Sequence, residues 1–151
     1  MNVIRLVADE SDRPNGYLPF DPVDIFIDDQ KLIDVLERIE TPDAEAEGSP
    51  EIAGQYHSLS ADTTFLPSQH FLGAPRPILA HETCVAILVC CCGCEGCWDF
   101  VCRMTFDADK VSWSDFRQVH RDWDYSELGT LVFDRKNYEE QFSPKMPSAA
   151  K

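Results

Sequence analysis

The sequence lacks a long apolar run. Its longest apolar stretch, residues 84–92, is about half of the roughly 20 residues that a membrane-spanning helix needs. The first six residues already include an arginine and lack the apolar core of a signal peptide. We therefore expect a cytoplasmic protein that does not bind membranes. In a reducing compartment its seven cysteines are thiols or metal ligands rather than a disulfide framework.

The sequence is also poor in positive charge. It has 13 Lys and Arg residues against 27 Asp and Glu residues, a formal net charge of −14. Residues 1–62 carry −11 of this charge and residues 63–151 carry −3. Such a field repels phosphate groups, so we expect no nucleic-acid partner and no anionic membrane. It favours a basic partner protein, the alternative being that the charge serves only solubility.

Recognisable catalytic motifs are missing as well. His120-Arg121-Asp122 matches the kinase catalytic-loop triplet, but no glycine-rich phosphate loop accompanies it. His81-Glu82 lacks the second histidine of a zinc-protease helix, and no G-x-S-x-G segment is present. The sequence leaves enzymatic activity undecided but favours a protein that is not an enzyme.

Hydrophobic periodicity predicts one α+β domain over residues 1–142. Leu32, Leu36 and Ile39 recur at helical spacing, which predicts a helix over residues 30–40 with Asp28 or Asp29 as its N-cap. A second helix is expected after Asp134. Apolar or alternating segments predict an antiparallel sheet with two or three short helices. Its strands are expected at residues 3–7 and 23–27 and, as a β-meander in the second half of the chain, at 84–90, 98–106, 111–116 and 131–133.

Two segments have no periodic pattern. Residues 41–64 combine prolines and glycines with acidic side chains, which predicts a mobile acidic loop inside the domain. Residues 143–151 are expected to form a disordered tail.

The most chemically distinctive segment is residues 90–97, Cys-Cys-Cys-Gly-Cys-Glu-Gly-Cys. Its two glycines permit a tight turn that points several sulfurs one way, as in hairpin-borne zinc sites. Strand residues two apart share a face, so one arrangement groups Cys90, Cys92 and Cys97 as zinc ligands, and another groups Cys92, Cys94 and Cys97. The candidates for the remaining ligand of the first arrangement are Cys94, Cys102, His81 and His120.

Two other interpretations of these cysteines stay open. Residues 94–97 have the C-x-x-C spacing of thiol redox proteins, although a strand rather than the usual helix is expected to follow. Alternatively, the cysteines only fill space at a crowded hairpin, as small hydrophobic residues. The cofactor is therefore either none or zinc.

Aromatic and charged side chains lie close together between residues 113 and 125. Aromatic residues and arginine are enriched at the centres of protein interfaces. We therefore predict a partner-binding surface, the alternative being a core edge beside a solvated loop; its residues would be Trp113, Arg121, Trp123 and Tyr125. Together with the net charge, this predicts a non-enzymatic acidic protein-binding domain, immunity-like or regulatory, that recognises a basic partner.

Four motifs are spread over the second half of the chain. They are C-x-C-G-x-x-G-C-W at residues 90–98, V-x-W-x-D-F at 111–116, W-x-Y at 123–125 and F-D-x-x-x-Y at 133–138. As a set, they resemble a family of small bacterial proteins that has no established activity. The resemblance implies that Cys90, Cys92 and Cys97 are the cysteines of the family pattern. It implies no function.

Overall fold

The computed structural model describes residues 1–8, 23–90 and 98–143. These residues form two antiparallel sheets, of three and six strands, and three α-helices, which confirms the predicted α+β class. In chain order, the elements are β1 (Ile4–Ala8), β2 (Val23–Ile27), β3 (Gln30–Lys31), α1 (Leu32–Ala46), β4 (Tyr56–Ser58), α2 (Ala61–Thr64), β5 (Ala80–His81), β6 (Cys84–Cys90), β7 (Phe100–Phe106), β8 (Lys110–Gln118), β9 (Leu131–Asp134) and α3 (Arg135–Gln141).

The larger sheet contains the predicted meander. Its strand order is β4-β6-β7-β8-β9, with β5 also paired to β6, so that four consecutive strands of the chain are neighbours in space. β6 is apolar throughout and buried except at its last residue, as a strand covered on both faces must be. Register shifts at Ala86–Leu88 and Val101–Arg103 interrupt the ladders on both sides of β7. Such bulges bend the strands that contain them.

Helix α3 is fixed to the sheet through Trp113 of β8. The Trp113 indole is fully buried, and its N–H donates to the Tyr138 hydroxyl at 3.2 Å. That hydroxyl donates in turn to the backbone carbonyl of Phe71 at 2.6 Å. Asp134 caps the helix by accepting the Asn137 amide at 3.0 Å, as the sequence predicted. Each buried polar group of this chain of contacts therefore has a partner.

Helix α1 is longer than predicted, and the predicted mobile loop over residues 41–64 is wrong for most of its length. Buried side chains recur every four residues along α1, at Leu32, Leu36, Glu40 and Ala44. The polar Glu40 and the following Pro42 hid this continuation. After α1 the segment forms a 3₁₀ turn at Pro50–Ile52, then β4 and α2.

Gly54 shows how tightly this segment packs on α1. Its φ of +72° lies in the left-handed region, which favours glycine. A Cβ atom at this position would lie 2.6 Å from the Cβ of Glu37, too close for any other residue. The backbone before β4 therefore lies directly against the helix.

Asp28 and Asp29 do not cap α1 as predicted. Both have positive φ angles, 51° and 68°, and form the turn between β2 and β3. The N-cap position of the helix is Lys31, which makes no side-chain capping bond. The Asp28 carboxylate instead accepts the Val3 amide and the Asn2 side chain, both at 2.8 Å, and so fixes the start of β1.

The two sheets share one core. The Asn2 amide donates to the carbonyl of Val132 at 2.7 Å, and the Val23 amide donates to the carbonyl of Leu59 at 2.9 Å. A cluster of buried apolar side chains in the described residues draws on both sheets and on α1. In those residues no helix has the length and hydropathy needed to cross a membrane. Beyond Ser143, the predicted tail lies outside the described residues.

Candidate functional site

The predicted cysteine site lies mostly outside the described residues. Cys92, Cys94 and Cys97 are not among the described residues, so both proposed sulfur groupings stay predictions. Cys90 is half-buried at the end of β6. Cys102 lies fully buried in β7, where burial raises the pKa of its thiol well above the ordinary value. Whether Cys102 joins Cys90, Cys92 and Cys97 in one site stays a prediction.

The two histidine candidates have separate surroundings. The Nε2 atom of His81 lies 3.1 Å from the Oδ2 atom of Asp99, whose carboxylate is fully buried. His120 is exposed, and its ring stacks on Trp98 with 6.0 Å between ring centroids. Over residues 1–8, 23–90 and 98–143, no three His, Cys, Asp or Glu side chains are grouped closely enough to hold a metal ion.

The four predicted partner-binding residues divide between the core and the surface. Trp113 has no exposed surface and Tyr125 is buried, so neither ring is available to a partner. Trp113 is buried against α3 and Tyr125 is buried against α1. The local sequence pattern does not predict these contacts. Arg121 and Trp123 are half-buried at the surface. Both bind Glu47, with Arg121 Nε at 3.1 Å and Trp123 Nε1 at 2.6 Å from its carboxylate oxygens.

Arg121 also packs against aromatic rings. Its guanidinium carbon lies 5.0 Å from the ring centroid of Trp98 and 5.9 Å from that of Trp123, within cation–π range. Together with the ion pair to Glu47, these contacts hold the segment after β8 against the C-terminal end of α1. The charge of Arg121 is therefore engaged within the protein.

Glu40 also holds the segment after β8, through hydrogen bonds in the core. The Tyr56 and Tyr125 hydroxyls each donate to Glu40 Oε2 at 2.5 Å, and the Gly54 amide donates to Oε1 at 2.8 Å. Burial raises the pKa of Glu40 above its usual value, although the hydrogen bonds oppose this shift. Burial, together with the nearby Glu40 carboxylate, also raises the pKa of both tyrosines, so their hydroxyls remain protonated donors.

We call these four residues, Glu40, Gly54, Tyr56 and Tyr125, the Glu40 clamp. Glu40 has no exposed surface, and both tyrosines are buried, so the clamp gives a substrate no access. Its groups satisfy one another. The clamp therefore holds α1, the turn before β4 and the segment after β8 in one arrangement.

The outer side of α1 is acidic. Asp34, Glu37 and Glu45 are exposed and recur at helical spacing, which places them on one side of the helix. Glu51 is exposed in the 3₁₀ turn that packs on α1. We call these four residues the acidic face. None of the four carboxylates forms an ion pair with another described residue.

The basic side chains on and beside α1 do not neutralise the acidic face. Each of three is paired with a different carboxylate: Lys31 with Asp24 at 3.6 Å, Arg38 with Glu127 at 2.5 Å and Arg121 with Glu47 at 3.1 Å. Among the described residues, these three basic side chains therefore form no ion pair with the acidic face. Sequence reasoning found the charge excess of residues 1–62 but placed Glu45 and Glu51 in a mobile loop, so it missed the ordered surface.

No protein-family model, no curated protein and no solved structure matches this chain. The resemblance of its motifs to a bacterial family therefore stays a prediction. The function has to be proposed from the fold and from the chemistry of the surface.

Proposed function

We propose that the chain is a non-enzymatic binding domain that recognises a basic partner protein through the acidic face. One observation carries the proposal: four exposed carboxylates on α1 and the adjoining turn form no ion pair with another described residue. A surface of this kind steers a basic partner into contact and raises its association rate. An immunity-like inhibitor or a regulatory domain would use the surface in this way.

The contacts that hold the acidic face in position favour a role in protein binding. The Glu40 clamp and the close contact between Gly54 and Glu37 hold α1 and the following turn together. A surface that is already ordered before binding loses less conformational entropy when the partner arrives. The pKa shifts of the clamp arise in a closed cluster that holds these elements, which also favours a binding role over catalysis.

A charge-reversal variant tests the location of the surface. Asp34→Lys, Glu37→Lys and Glu45→Lys together change the acidic face. Exposed acids on other elements provide a matched control with the same change in net charge, namely Asp107→Lys, Asp109→Lys and Glu140→Lys. Each protein is immobilised in equal amount and used to capture proteins from a native lysate, with chemical cross-linking to locate the contact.

We expect the wild type and the control to retain one basic protein at near one-to-one ratio, cross-linked to α1 or its turn. The acidic-face variant should lose it. Capture should also weaken steeply as salt is added, because exposed charges are screened beyond about 8 Å at physiological ionic strength. If both variants lose the protein equally, or if the wild type retains no basic protein, the proposal is wrong.

A further inference from the structure

A groove of about 350 Å³ lies beside the acidic face, between α1 and the residues that lead into β9. Its more buried lining is apolar and includes Val35 and Ile39 from α1 and Leu128 from the opposite wall. Its exposed lining is polar and charged, and includes Asp28, Arg38 and Glu127. The volume falls within the range of pockets that bind small ligands, about 300–1,000 Å³.

The groove and the acidic face form one continuous surface. Asp34 of the acidic face and Arg38 of the groove are four residues apart, and are therefore neighbours along one side of the helix. Val35 and Ile39 lie on the adjoining side, toward the groove. A segment of a partner that contacts Asp34 therefore lies next to the groove.

We propose that this groove takes an apolar side chain of the basic partner, flanked by Lys or Arg side chains that pair with the acidic face. This inference rests on the proposed function and specifies how the partner is recognised. A buried apolar anchor surrounded by polar contacts is the arrangement that supplies most of the affinity at protein interfaces.

The charge around the groove selects for such a segment. Its exposed lining carries two carboxylates, Asp28 and Glu127, against the single guanidinium of Arg38. Asp28 is bonded to the backbone amide of Val3 and the side-chain amide of Asn2, neither of which neutralises it. The lining is therefore net negative, and it adjoins Asp34 of the acidic face. An apolar side chain between basic residues matches this pattern, whereas an acidic or wholly polar segment does not.

The ion pair that crosses the groove can be replaced by an ion pair with the partner. Arg38 and Glu127 come from opposite walls, and their side chains are 60% and 56% exposed. Exposed ion pairs of this kind contribute little to stability. A Lys or Arg of the partner can therefore replace Arg38 at Glu127 while the apolar side chain enters beneath it.

Two synthetic peptides test the inference on the full-length protein. Both have 12 residues and six lysines; one also carries three leucines, and its control carries three serines at the same positions. Binding is followed by nuclear magnetic resonance of labelled protein, using the amides of Asp34, Glu37 and Glu45 for the acidic face. The methyl groups of Val35, Ile39 and Leu128 report on the groove.

We expect both peptides to shift the amides of the acidic face, and only the leucine peptide to shift the methyl groups of the groove. Full burial of one leucine is worth more than a factor of ten in binding, so the leucine peptide should bind at least tenfold more tightly. Equal affinities with no methyl shifts would overturn the groove inference and leave the proposed function standing. If neither peptide shifts the amides of the acidic face, the proposed function itself fails.

Discussion

Replacing Glu40 with alanine should destabilise the protein strongly, even though alanine is the better helix former. Three donors lose their acceptor at once: the Tyr56 and Tyr125 hydroxyls and the Gly54 amide. Each buried donor left without a partner costs about 1–3 kcal/mol. The two hydroxyls can rotate toward each other and recover part of this loss. We therefore expect Glu40→Ala to lower the free energy of unfolding by about 3–4 kcal/mol.

Urea unfolding of two further variants separates the clamp from the helix. Glu40→Gln keeps one oxygen for the tyrosine hydroxyls but loses the acceptor of the Gly54 amide, so its cost should be about 1–2 kcal/mol. Glu45→Ala removes an exposed carboxylate from the same helix, and should change stability by no more than about 0.5 kcal/mol. The expected order of destabilisation is Glu40→Ala, then Glu40→Gln, then Glu45→Ala.

A stabilising role of the Glu40 clamp would be refuted if Glu40→Ala were no more destabilising than Glu45→Ala. The three donors would then find other partners at no cost, and the clamp would contribute nothing to the position of α1. A double-mutant cycle that combines Glu40→Gln with Tyr125→Phe gives a second check. A coupling energy near zero would show that the 2.5 Å contact between these side chains carries no stabilisation.

Three other consequences can be measured separately. Because burial raises the pKa of Glu40, the folded state binds the carboxyl proton of this residue more tightly than the unfolded state does. The stabilisation that results is complete below about pH 4.5 and is lost as the pH rises through the raised pKa. The urea midpoint of the wild type should accordingly fall relative to that of Glu40→Gln as the pH rises from about 4.5, and parallel pH profiles would contradict this. Trp113→Ala should cost about 3–5 kcal/mol, as for other buried aromatic residues, whereas Trp123→Ala should cost about 1 kcal/mol or less. Similar losses in thermal unfolding would contradict the difference in burial between the two indoles. If Cys90, Cys92 and Cys97 hold zinc, protein purified without chelator should contain one zinc ion per chain and should melt at a lower temperature after chelation. Metal-free protein with all seven thiols reactive after unfolding would contradict this hypothesis.

The strands could be predicted from the sequence because their patterns are local. The apolar run at residues 84–90 corresponds to β6, and residues 23–27 correspond to β2. The alternation at residues 111–116 lies within β8, which extends from Lys110 to Gln118. In each case the spacing of apolar residues along a few positions reflects which side chains face the core. The cap at Asp134 is equally local, since its partner lies three residues away.

The end of α1 and the candidate surface depend on residues that are distant in sequence. Glu40 can occupy the buried side of the helix because Tyr56 and Tyr125, 16 and 85 residues away, donate hydrogen bonds to it. No local pattern reveals these partners, and the proline and glycine residues that follow predict a helix that ends at residue 40. Trp113 shows the converse. The alternation of apolar and polar residues predicts the side of β8 on which Trp113 lies. Whether that side faces the core depends on α3.

The central claim is that the acidic face recognises a basic protein. Its most direct test is the association rate of the captured partner, measured by stopped flow at low and physiological salt. The association rate is compared among three proteins: the wild type, the acidic-face variant with its three lysine substitutions, and the control variant of equal net charge. We predict that the acidic-face variant associates at least tenfold more slowly at low salt, with little remaining salt dependence, while the control stays near the wild type. Equal rates for the two variants would contradict the claim, because the effect would then follow net charge rather than this face.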